Sequence, residues 1–67
     1  MSIDSATNMI VIKTITGSAQ AAAEAIDSLK WQEILGTIAG GNTILVIVRS
    51  EDIVDSVVGR IQALIKR

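Results

Sequence analysis

The stretch Ile44-Leu45-Val46-Ile47-Val48 carries an apolar side chain at every position and follows directly on Gly40-Gly41-Asn42-Thr43. In a β-strand successive side chains point to opposite faces, so a run like this is apolar on both. Its short length, β-branched content and bounding turn residues favour a strand over a helix segment. Ile34 to Ala39 reads as a partner strand folded back through the glycine-rich turn. Gly and Asn tolerate the positive φ that tight hairpin connections call for, which makes Gly40-Gly41-Asn42 the expected hairpin turn. Met9 to Ile12 is likewise apolar without alternation. A sheet covered by helices on one face only should alternate polar and apolar residues. The two-faced strands therefore predict that a second subunit covers the other face, with cover by loops of the same chain as the competing reading.

The remaining elements follow from local signals. Ser5 to Asn8 reads as a turn before a Met9 to Thr14 strand, so Ser2-Ile3-Asp4 becomes the tail of an earlier strand. A start in mid-strand suggests a piece of a longer protein. Ile15-Thr16-Gly17 connects to a helix over Ala19 to Lys30, with Ser18 as N-cap and Lys30 at the favourable end of the dipole. Ala19, Ala22, Ala23, Ile26 and Leu29 form its apolar stripe. Trp31-Gln32-Glu33 is a connection and Thr43 to Arg49 the last strand. Ser50 caps a second helix over Glu51 to Lys66, with Glu51 and Asp52 in its first turn and Arg60, Lys66 and Arg67 in its C-terminal half. Its stripe is Val54, Val57, Val58, Ile61, Leu64 and Ile65. The reading is one small α/β domain over residues 1–67.

Several function classes drop out. With neither Cys nor His, disulfides, the usual zinc spacings and the commonest nucleophile–base pairs are excluded, and no metal site is expected. A chain of 67 residues that is 49% apolar and 19% charged then has oligomerisation as its remaining route to a sufficient core. Gly36 to Gly41 lacks the Lys-Ser/Thr ending of a phosphate loop. No apolar run reaches membrane-spanning length and Met1-Ser2-Ile3-Asp4 does not open a signal peptide, so a cytoplasmic protein without a membrane partner is expected. The net charge is −1 and the one basic pair is Lys66-Arg67, which argues against direct nucleic-acid binding. Gln20 and Asp27 fall on nearly one side of the first helix. By themselves they read first as a solvated face, Asn42 most simply as a turn residue, and Trp31 most simply as a core or interface anchor.

The segments Lys13 to Gln20, Ile26 to Leu29 and Ile34 to Gly40, with the spacing between them, resemble the C-terminal domain of the bacterial arginine repressor. The resemblance covers nearly the whole chain. It implies an α+β fold of two layers, a four-stranded antiparallel sheet with two helices on one face in the order ββαββα, here with its first strand truncated. It also implies homo-trimers that pair into homo-hexamers, L-arginine bound between the trimers, and DNA contacted only through a winged-helix domain that precedes this one and lies outside the chain. Carried over by position, Gln20 and Asp27 match the polar ligand contacts of the first helix, and Thr37 and Ala39 the strand positions lining the site. The two adjacent aspartates that follow Ala-Gly in the family are Gly41 and Asn42 here.

A guanidinium is best held by bidentate carboxylates, and each charged hydrogen bond is worth roughly 1.5–3 kcal/mol. Losing two is expected to weaken arginine binding about 10²–10⁴-fold. Two readings follow. In one, the domain senses arginine or a related molecule in an altered pocket, where an Asn suits a neutral ureido group such as that of citrulline. In the other it is a structural oligomerisation module of a repressor paralogue without effector control.

Overall fold

The computed structural model describes residues 2–65, with the side chain of Ile65 outside that description. The expected place of the Ile65 side chain on the apolar stripe, and Lys66 and Arg67 entirely, thus lie outside the description. Four strands, β1 (Ser2–Ala6), β2 (Met9–Lys13), β3 (Ile34–Ala39) and β4 (Thr43–Val48), form one antiparallel sheet in the order β1-β2-β4-β3. Helix α1 (Ala19–Ser28) packs over β3 and β4. A 3₁₀ turn at Glu51–Ile53 leads into α2 (Val54–Ile65), which packs over β1 and β2. The α+β architecture with two helices on one face is therefore the one expected.

The core follows from the alternation within each strand. Ile10 and Ile12 of β2 and Ile44, Val46 and Val48 of β4 are buried against Ala23 and Ile26 of α1 and Val54, Val57 and Ile61 of α2. Each fully buried side chain of this size contributes about 1.5–3 kcal/mol. The alanines at 19 and 23 are the two buried small residues of α1, where they allow a close approach to the sheet.

The other side chains of the same strands form the second face. Register pairs Ala6 with Met9, Met9 with Ile47, Val11 with Leu45 and Ile38 with Leu45, so these six apolar residues share one surface. Val11, Leu45 and Ile47 are half-buried by one another, while Met9 is 38% and Ile38 70% exposed. Among the described residues no loop seals this face.

Four local expectations are corrected. The Gly40-Gly41-Asn42 turn uses no positive φ; it is closed by the Gly40 N–H donating to the Thr43 carbonyl at 2.8 Å. The left-handed residues are instead Thr7 (φ 56), Gly17 (φ 90) and Lys30 (φ 58). Thr7 lies in the two-residue link between β1 and β2, so Ser5 and Ala6 belong to the strand and not to the turn. Lys30 lies beyond the helix, which ends at Ser28 with Leu29 as its cap. Leu29, the outermost position of the expected stripe, is exposed accordingly, as is Leu64 of α2. Finally, Ser18 is the N-cap of α1 but its side chain makes no capping hydrogen bond, because its backbone is helical (φ −101, ψ −10) rather than extended. Ser50 does cap as expected, accepting from the Asp52 N–H at 3.2 Å.

Candidate functional site

The six positions implied by the resemblance lie on α1, on the edge strand β3 and in the turn that follows it. Two of them meet directly. Thr37 lies near the middle of β3, and its hydroxyl donates to Asp27 Oδ1 on α1 at 3.0 Å. The bond fixes the carboxylate at the α1–β3 seam.

The turn is docked at the other end of α1. Thr14 donates its N–H to the Asn42 carbonyl and Gly17 to the Gly41 carbonyl, both at 2.7 Å. The left-handed Gly17 thus links the start of α1 to the β3–β4 turn, and Gln20 follows in the first turn of α1, exposed. Ala39 is half-buried and packs against the core. Gly41 and Asn42 themselves are exposed. Asn42 Oδ1 accepts from the Thr43 hydroxyl at 2.9 Å, so one lone pair of that oxygen is engaged within the hairpin. A Cβ at position 41 would meet nothing within 4 Å. Neither a positive φ nor crowding requires glycine there.

The structure also brings together residues whose association had no signal in the sequence, Arg49, Glu33 and Arg60 among them. Beyond the C-terminus of α1 a concavity of about 500 Å³ opens, lined among others by Asp27, Lys30, Trp31, Thr37 and Arg49. Its rim is held from two directions. Arg49 Nε donates to the Gln32 carbonyl at 2.6 Å, and the Arg49 N–H to the Glu33 carbonyl at 2.9 Å. Arg60 of α2 grips both carboxylate oxygens of Glu33, at 3.3 and 2.8 Å, and lies 5.1 Å from the centroid of the Trp31 ring. This hydrogen-bonded pairing holds the Glu33 carboxyl below the usual range and raises the Arg60 guanidinium in turn. Arg60 and Glu33 are 27 residues apart, and no spacing rule links such a pair.

Among the described residues no three acidic, His or Cys side chains gather to hold a metal ion. Nor does any helix among them have the length and apolarity to cross a membrane.

The family model for the arginine repressor C-terminal domain matches residues 1–63. An arginine repressor of Ruminiclostridium cellulolyticum is 52% identical over 66 residues, which cover 98% of this chain and 44% of that protein. One from a Thermoanaerobacter species shows the same figures, 52% identity over 98% of this chain and 44% of its own length. One from Bacillus velezensis is 48% identical over 94% of this chain and 42% of its own. The chain thus spans less than half the length of these curated relatives. All of them carry the name of a transcriptional regulator and none that of an enzyme.

Proposed function

The chain belongs to the arginine repressor C-terminal domain family, and from that premise we propose that it is the oligomerisation and effector-sensing domain of an arginine-responsive regulator, with arginine binding weakened at Gly41 and Asn42. The observation that carries the assembly half is the unsealed apolar sheet face around Leu45 and Ile47. A patch of this kind on a small domain is a protein interface. Homo-trimers, paired into hexamers, are the assembly the reading assigns. DNA is contacted only through a winged-helix domain outside this chain, and the regulator works in the cytoplasm, where its operators are.

The effector half rests on the α1–β3 seam. Asp27 and Thr37 are joined, and the carbonyls of Gly41 and Asn42 tie the turn after Ala39 to Gly17 and Thr14, ahead of Gln20. The seam offers one carboxylate, and the turn supplies an amide and no charge. L-Arginine in this site loses its guanidinium partners, whereas a neutral ureido group, as in L-citrulline, suits the Asn42 amide.

A second reading, a purely structural module, is favoured by the same substitution. Two fewer carboxylates per subunit mean less like-charge repulsion between facing trimers, so hexamers form without ligand. Sedimentation velocity with and without L-arginine and L-citrulline separates the two. A ligand-dependent shift from trimer to hexamer supports effector sensing; the same distribution in all three conditions supports the structural module.

A further inference from the structure

The outer face of the sheet is charged at two strand positions, of opposite sign. Asp4 of β1 and Lys13 of β2 are the only charged residues within the four strands. Register sets Asp4 opposite Val11, and Lys13 between Ser2 and Thr43. Both therefore stand on the side of the sheet that carries Leu45 and Ile38, away from the helices. With Ala6, Met9, Val11 and Leu45 they line an open concavity of about 420 Å³ with an apolar floor.

Neither charge is neutralised within the chain. Among the described residues the single ion pair is Arg60–Glu33. Asp4 and Lys13 are diagonal neighbours across the β1–β2 pair, yet they do not join. Asp4 instead accepts the Ser5 N–H on Oδ1 at 2.9 Å, which orients its carboxylate, and Oδ2 has no protein partner among the described residues. When a second copy covers the apolar floor, both groups lose water. A charge enclosed without a partner of opposite sign is strongly destabilising. The strands of a second copy offer one cation and one anion on this face, so Asp4 meets Lys13 and Lys13 meets Asp4.

We propose that Asp4 of one copy pairs with Lys13 of its neighbour across each interface, and that this crossed pair makes the sheet face select copies of its own chain. The pairing rests on the assembly reading above and adds to it the choice of partner. The apolar floor supplies adhesion to any similar surface, whereas the two charges penalise a partner with a different sign at either position.

Charge reversal tests this. Asp4→Lys, Lys13→Asp and the doubly swapped protein are compared with the wild type by sedimentation equilibrium. Each single variant sets like charges together at every interface and should weaken assembly about tenfold or more. The doubly swapped protein regains opposite pairs and should return to within about threefold of the wild type. Isotope-labelled swapped protein is then dissociated and reassembled with wild type, and the products are weighed by native mass spectrometry. Separate oligomers of each are expected, because every mixed interface joins Asp4 to an acid or Lys13 to a base. Both positions are exposed in the single chain, and a thermal melt checks that each variant folds; if a single variant does not, the mixing experiment carries the test without it. Mixed oligomers in statistical proportions overturn the proposal, since they mean that the two charges pair within one chain or stay in water at the rim. Single variants that assemble like the wild type, or a folded double swap that does not recover, overturn it as well and leave assembly through the face standing. A wild type that stays monomeric overturns the assembly reading and the crossed pair together.

Discussion

Restoring acids to the β3–β4 turn tests directly why arginine should bind poorly. The double substitution Gly41→Asp and Asn42→Asp places two carboxylates after Ala39-Gly40. Sterically it costs little, since a Cβ at position 41 meets nothing within 4 Å and Gly41 has no positive φ. Aspartate at 42 can accept from the Thr43 hydroxyl as Asn42 Oδ1 does at 2.9 Å. The backbone links from Gly17 and Thr14 to the turn use carbonyls and are independent of side chain. Two charged hydrogen bonds at roughly 1.5–3 kcal/mol each correspond to about 10²–10⁴ in affinity. Isothermal titration of both proteins with L-arginine reads the difference, and because the positions are exposed, folding stability should change by about 0.5 kcal/mol or less. Wild-type binding is expected to be weaker than micromolar and the double variant tighter by at least about two orders of magnitude. Micromolar binding by the wild type, or equal affinity in the two proteins, would refute the reasoning.

Three further outcomes are expected. Thr7→Asn should stabilise the domain by about 0.5–1 kcal/mol in chemical denaturation, because a β-branched residue is strained at φ 56 and Asn is not. Ile44→Ala, at a position with no exposure, should cost about 2–5 kcal/mol by the same measurement. Glu33 has its carboxyl lowered by Arg60, so its contribution is fully present above the unfolded-state pKa and fades as pH falls through the lower folded-state value. Melts of wild type and Glu33→Gln between neutral and strongly acidic pH should therefore converge at the acid end, and a difference that persists there contradicts the assignment.

Much of the fold was legible because the burial demand is written in residue type. The β-branched runs at Met9 to Ile12 and Ile44 to Val48 could hardly be anything but strands, and their lack of alternation foretold the second apolar face. The helices were equally plain from Ala23, Ile26, Val54, Val57 and Ile61, all of them buried. Turn geometry was not legible. Thr7 and Lys30 take left-handed backbones that their residue types disfavour, while Gly40-Gly41-Asn42 does not use the freedom its composition offers. Tertiary pairing overrides local preference at such points. Of the site, the resemblance supplied Asp27 and Thr37, but their hydrogen bond needed the packing of α1 on β3. Arg49, Lys30 and the Arg60–Glu33–Trp31 cluster come from segments brought together only by the fold. No periodicity or motif announces a contact of that kind.

Assembly through the open face of the sheet is tested most directly by sedimentation equilibrium of the wild type and of Ile38→Glu, without ligand. Ile38 is 70% exposed in the single chain and pairs with Leu45 on that face, so a charge there should leave the monomer folded and break the interface. The expected result is a trimer or a multiple of it for the wild type and a folded monomer for the variant. A wild type that stays monomeric at tens of micromolar, or an Ile38→Glu protein that assembles unchanged, would contradict it.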